Sequence, residues 1–378
     1  MEADINWFVD VYESIHGPLV VALCVFGVST NLVNIVVLTR RTMFTPTNIL
    51  LTGLSSAQLL LLINYMIYTF YVIFDTECNR GTKTYGWLSY LLLNVNLNLV
   101  FHTIGLVHTT MLAVFRYAAV AFPTRSKKLV SVRGAKSVVL VAFTSVPLVC
   151  STFYPNSTVA QRNLTVDNYS TCPEWREDGY GPVVYGLRYS DRELLRDYNF
   201  WFFGAVCKLL PCLLLVVLSA LLVRELSQVR RRRERLTNQK SLTAERNHRQ
   251  ITIMLVAVVL LFVVVELPQG AMNMLSAILK DDFISIYTSL GDFFEMLTVG
   301  YSSVNFIIYC SMSSQFRTTF KRLFLAPCCR AFGCREWSAS VGVPEASNRR
   351  PSKTTGLTEA VQADYAITTA LIPVDTAM

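Results

Sequence analysis

The chain has 378 residues, 52% hydrophobic and only 16% charged, with a formal net charge of +8 and a mean hydropathy of +0.40. That is too little polar surface to solubilise a globular domain of this length, and it points to a membrane protein. The basic run Arg230 to Arg233 is short and follows an apolar segment directly, so it reads as a cytoplasmic charge facing anionic lipid or an acidic partner, not as a nucleic-acid site.

Residues 1–15 are acidic through Glu2, Asp4, Asp10 and Glu13 and contain no basic region followed by a cleavable apolar core. They are expected to lie outside the cell, with the first span inserting the chain. A spanning helix needs about 20 apolar residues. Windows of that kind fall at 18–38, 47–73, 86–114, 135–154, 200–223, 251–275 and 284–309. The fold expected is an all-α membrane protein with a seven-helix transmembrane domain over 16–310. Asn64, Asn94, Asn96, Asn98 and His102 interrupt the second and third windows, and polar residues there are expected to face the bundle.

Orientation follows from charge. Arg40 and Arg41, then Arg116, Arg125, Lys127, Lys128, Arg133 and Lys136, then the basic segment 224–249 follow spans one, three and five, and positive residues stay cytoplasmic. The segment 155–198, on the opposite side, holds three N-glycosylation sequons beginning at Asn156, Asn163 and Asn168. Of ten cysteines only Cys78 and Cys172 fall in expected outside segments, and they are the expected disulfide pair.

Span six carries the most informative sequence, Glu266-Leu267-Pro268-Gln269-Gly270. An ionisable group at a helix centre in hydrocarbon costs roughly 2.5–3.5 kcal/mol, so Glu266 is expected to face a protein or water interior. Pro268 removes a backbone donor and kinks the helix. After span seven, Phe316, Phe320 and Phe324 alternate with Arg317, Lys321 and Arg322, the pattern of an amphipathic helix on the inner membrane surface over 311–327. Cys328, Cys329 and Cys334 follow it, with lipidation and unmodified thiols as the two readings. The tail 328–378 has no apolar period and reads as disordered, with serines and threonines open to kinases.

His16, His102, His108 and His248 are scattered without metal-ligand spacing, and no nucleophile motif or glycine-rich phosphate loop is visible. No enzyme activity, cofactor or metal is expected.

Phe115-Arg116-Tyr117 at the end of span three resembles the Asp-Arg-Tyr motif of rhodopsin-like G-protein-coupled receptors, and Asn31, Pro211, Pro268 and Asn305-Phe306-Ile307-Ile308-Tyr309 fall where that family has marker residues. Leu38-Thr39-Arg40-Arg41, Phe101-His102-Thr103, the Glu266 motif, Leu290-Gly291-Asp292 and Val304-Asn305-Phe306 narrow the resemblance to the invertebrate myosuppressin/FMRFamide-like neuropeptide receptors. The likeness covers roughly residues 18–325. It implies a plasma-membrane receptor that binds an amidated peptide in the outer half of the bundle. Spans five and six would swing and a heterotrimeric G protein would engage beside Arg116 and Tyr117, with Pro268, Asn305 and Tyr309 in the switch. Arrestin and kinases would act at the tail.

Peptides of the RFamide type end in a cationic arginine and an amidated phenylalanine, so their receptor needs acids and an aromatic wall. Asp292 and Glu295 share a helix face and are the candidate arginine clamp. Glu266, Asn98 and His102 lie deeper, and Tyr65, Tyr68 and Tyr71 recur at helical spacing in span two. Ordinary packing competes for each tyrosine, and a solvated helix end competes for the two acids. A His102–Glu266 pair would lower the cost of burying either.

The chain departs from the wider family at Gln58, where an aspartate binds sodium, at Phe115, where an acid adjoins the arginine, and at His248, where an acidic lock partner often lies. Raised basal activity is the expectation. A nematode-type chemosensory receptor is the alternative function, and an ion-coupled transporter or channel using Glu266, Asp292 and His102 is a third. The third gains no support from an internal repeat.

Overall fold

The computed structural model describes residues 2–74, 83–162, 184–189, 192–237, 242–279 and 290–327. The first four spans are helices Glu2–Leu38, Pro46–Phe74, Tyr85–Ala121 and Val132–Cys150. Span five is assembled from an α-helix Glu193–Trp201, a π-helical stretch Phe202–Leu209 and an α-helix Leu210–Thr237. Spans six and seven are helices Leu242–Leu279 and Gly291–Met312. By length and apolarity, six helices among the described residues are able to cross a membrane. Helix Gly291–Met312 completes the bundle as the seventh.

Helices are the form such a sequence must take, because a backbone in hydrocarbon has no water to satisfy its N–H and C=O groups. Local signals set their ends. Thr84, Ser131 and Ser313 cap the helices that follow them by accepting from the main-chain N–H of Trp87, Gly134 and Phe316. Pro46 opens the second helix, and Pro123 follows the end of the third.

The exterior of the bundle is apolar. Leu148 is 74% exposed and Leu140 66%, the inverse of a water-soluble surface and suited to lipid tails. The interior holds the amides. Asn64 Nδ2 donates to the main-chain oxygen of Asn94 at 2.8 Å and to Asn98 Oδ1 at 2.9 Å, and Asn94 Nδ2 donates back to Asn64 Oδ1 at 3.0 Å. These asparagines therefore tie span two to span three, as expected of polar residues within the windows. Asn31 Nδ2 ties span one to span seven through the main-chain oxygen of Ser302 at 3.0 Å.

Several boundaries differ from expectation. The first helix begins at Glu2 and runs straight through Pro18, whereas the apolar stretch able to span a membrane begins at Ile15. Its outer turns rest on span seven, with Tyr12 edge-on to Phe293 at 5.6 Å and its hydroxyl 3.2 Å from the main-chain oxygen of Asp292. The basic segment 224–249 is helical up to Thr237 and again from Leu242, because the run from Arg224 to Thr237 holds no glycine or proline to stop it. The segment 155–198 contains an antiparallel hairpin of β1, Ser157–Arg162, and β2, Val184–Tyr189, paired from Ser157 with Tyr189 to Arg162 with Val184. An all-helical reading omits it. The last helix, Ser314–Phe320, starts after a break at Ser313 and continues as a π turn Lys321–Leu325. Phe316 is buried against Val37, Leu38 and Leu50, so this helix packs on the bundle as well as lying beside it.

Cys78, Cys172, Asn163, Asn168, Cys328, Cys329, Cys334 and the tail 328–378 lie outside the described residues, as do the side chains of Tyr71, His248, Asn305 and Tyr309.

Candidate functional site

Glu266 lies in the middle of span six, fully buried. Its Oε2 is 3.2 Å from His102 Nε2 on span three and accepts from Lys208 Nζ on span five at 2.7 Å. The same ammonium is 2.9 Å from His102 Nε2 and donates to Gln269 Oε1, one turn along span six. Three spans thus converge on one buried charge pair. A neutral imidazole with one N–H cannot serve both neighbours through Nε2: it donates to Glu266 or accepts from Lys208. Glu266 Oε1 has no hydrogen-bond partner among the described residues.

Lys208 was not anticipated from the sequence. It is the one charged residue within 200–223, and the argument that singled out Glu266, the cost of an ionised group in hydrocarbon, applies to it equally. Local chemistry brings it inward. Pro211 has no N–H to offer the carbonyl of Cys207, and the stretch before it winds as a π-helix. Such wide turns recur at functional sites.

Two glycines bring the spans close enough for the pair to form. A methyl group on Gly270 would lie 2.9 Å from Lys208 Cβ, and one on Gly204 would lie 3.1 Å from the carbonyl oxygen of Gly270. Small residues at such crossings let membrane helices approach along their backbones.

On the hairpin side of this cluster is a cavity of about 280 Å³ lined by Tyr65, Asn98, His102, Lys208, Gln269 and Glu295 among others. A second pocket of about 210 Å³ shares Asn98, Gln269 and Glu295 and adds Tyr68 and Asp292. Six of the eight sequence-derived ligand candidates line these spaces, namely Asp292, Glu295, His102, Asn98, Tyr65 and Tyr68, and the Tyr71 side chain lies outside the described residues. Glu266 lines neither, and it contacts His102 and Lys208, which line the larger. Tyr65 and Tyr68 form an aromatic wall with ring centroids 5.5 Å apart. Asn156, the described sequon asparagine, also lines the larger cavity, and its Oδ1 accepts from Asn199 Nδ2 at 2.9 Å.

The opposite end of the bundle holds two of the expected switch residues, Arg116 and Tyr117. Arg116 and Tyr117 occupy the last turns of span three, and Tyr117 meets Phe122 edge-on at 6.0 Å. Phe115 is only 1% exposed and packs among Leu50, Leu54 and Leu112. Asn305 and Tyr309 lie on the span-seven helix, and Pro268 lies within that of span six. Between the two ends an apolar layer of Leu106, Cys212, Leu215 and Phe262 fills the bundle, with Tyr301 edge-on to Phe262 at 5.9 Å.

Sequence comparison agrees with this architecture. Residues 19–327 match the family described as serpentine type 7TM GPCR chemoreceptor Srw. The chain is 32% identical over 354 residues to the G-protein coupled receptor dmsr-1 of Caenorhabditis elegans, covering 83% of this chain and 69% of that one. It is 27% identical to the sex peptide receptor of Drosophila melanogaster, over 82% of this chain and 72% of that one. It is 25% identical to the FMRFamide receptor of the same fly, over 82% of this chain and 53% of that one.

Proposed function

This chain belongs to the serpentine type seven-transmembrane G-protein-coupled receptors of the Srw family, a receptor and not an enzyme, and from that premise we propose that it detects an amidated neuropeptide of the RFamide class. The peptide enters from outside the plasma membrane, on the side of the hairpin and of the amino-terminal end of span one. A heterotrimeric G protein engages the other side, beside Arg116 and Tyr117.

The observation that supports this most is the pairing of walls in the double cavity. Asp292 and Glu295 from span seven face the same space as Tyr65 and Tyr68 from span two. A guanidinium takes carboxylates as bidentate, charge-assisted partners, and a neighbouring phenyl ring takes the aromatic wall. Likeness to the FMRFamide receptor supports the same ligand chemistry. Occupation of the cavity loads Lys208 and His102 in its floor, and the Pro268 kink gives span six a place to bend.

The family description favours one second reading, a chemosensory receptor for small molecules. A panel of amidated RFamide peptides applied to cells expressing the full chain, with a second-messenger readout, separates the two. A response at nanomolar to micromolar peptide supports the first. Silence to every amidated peptide at normal surface density, with a response to small odorants, would establish the second.

A further inference from the structure

Among the described residues lining the two spaces, Lys208 is the one lysine or arginine, and it stands across from the acids of span seven. Besides the contact with His102 Nε2 at 2.9 Å, its ammonium has two oxygen acceptors of different kinds. One is the carboxylate of Glu266, and the other is the carboxamide oxygen of Gln269, a residue that itself faces the cavity. A glutamine side chain ends in a primary carboxamide, the same group that ends an amidated peptide.

We propose that Lys208 is a specificity-determining residue that reads the terminal carboxamide of the ligand, and that Gln269 occupies its place while the cavity is empty. The exchange replaces one neutral amide acceptor by another, so it disturbs neither the Lys208–Glu266 pair nor the balance of charge. A ligand ending in a free carboxylate meets a different site. Its charge falls beside the carboxylate of Glu266, which already neutralises the ammonium, and like charges sharing one cation repel. The cavity thus selects an amidated terminus against an acid one, while Asp292 and Glu295 hold the arginine. Release of Gln269 also frees a side chain one residue from Pro268, at the bend of span six.

This inference rests on the peptide reading above and is tested separately from it. FMRFamide and its free-acid form are compared by dose–response in cells expressing the full chain, with surface density measured for each variant. Wild type responds to the amide at lower concentration. In Glu266→Gln the ammonium is left unneutralised, and the half-maximal concentration of the acid divided by that of the amide falls at least tenfold. Gln269→Ala removes the internal competitor and makes the amide several-fold more potent, whereas Gln269→Glu installs an acceptor that a neutral amide cannot displace and makes it less potent. A ratio within twofold of wild type in Glu266→Gln at normal surface density would overturn the proposal. If that variant does not reach the surface, the two Gln269 variants decide: potency unchanged, or moved the same way in both, overturns it. Wild type silent to every amidated peptide brings down the ligand class itself.

Discussion

Lys208 Nζ and Glu266 Oε2 meet at 2.7 Å between spans five and six, and their side chains are 1% and 0% exposed. Each charge is tolerable there only because the other is present. Removing one partner of a buried pair costs about 3–5 kcal/mol, whereas replacing both by apolar or neutral groups of similar volume is often near neutral. Lys208→Met alone is therefore expected to lower surface expression and the melting temperature of the solubilised receptor. Lys208→Met with Glu266→Gln should recover most of both. A double variant as poor as the single one would show that the ion pair is not what stabilises this crossing.

Gly270 is expected to tolerate no side chain. Its added Cβ would lie 2.9 Å from Lys208 Cβ and 3.1 Å from Leu209 Cδ2, and overpacking of this kind costs about 1–3 kcal/mol. Thermal unfolding of Gly270→Ala in detergent should show a lower midpoint than the parent receptor.

Asp292 and Glu295 carry the proposed arginine clamp. A hydrogen bond to a charged group contributes roughly 1.5–3 kcal/mol, so Asp292→Asn and Glu295→Gln should each raise the half-maximal concentration of an RFamide peptide by tenfold or more. Potency unchanged in both would end the clamp assignment while leaving the cavity intact.

Phe115 stands where the wider receptor family has an acid beside the arginine, and raised basal activity is the expected consequence. It is buried among leucines and offers Arg116 no carboxylate, so signalling without agonist should exceed that of mock-transfected cells. Restoring the acid is not a remedy: Phe115→Asp would place a carboxylate in an apolar cluster, and loss of surface receptor is the expected outcome. Basal signalling equal to mock at normal receptor density would count against the argument.

The asparagines joining spans two and three provide a graded test. Hydrogen bonds between membrane helices are worth about 0.6 kcal/mol on average and up to about 1.7. Asn94 both donates to and accepts from Asn64. Asn94→Leu should therefore lower the melting temperature measurably but modestly, and less than Lys208→Met does.

Much of this was legible in the chain itself. Hydrophobic windows of the right length declare spans because the bilayer thickness is fixed, and Asn64, Asn94, Asn98 and His102 declare inward faces because lipid rejects them. The proximity of His102 to Glu266, 3.2 Å across 164 residues of chain, follows the same reasoning. Lys208 falls under the same rule, as the one charge in an apolar run, but its partners lie on other helices and are not legible from that run. The hairpin escaped because its pairing joins strands 22 residues apart, from Arg162 to Val184, with no alternation strong enough to announce it.

The sequence alone determined the solvent this protein lives in, the number of its crossings and which side chains must avoid lipid, because each of those depends on a residue's own transfer energy. Only the tertiary structure decided that Lys208 pairs with Glu266 and that Gln269 shares the ammonium. Those relations depend on how closely Gly204 and Gly270 let two helices approach and on how a π turn rotates one of them, and distances between helices are not written in either helix.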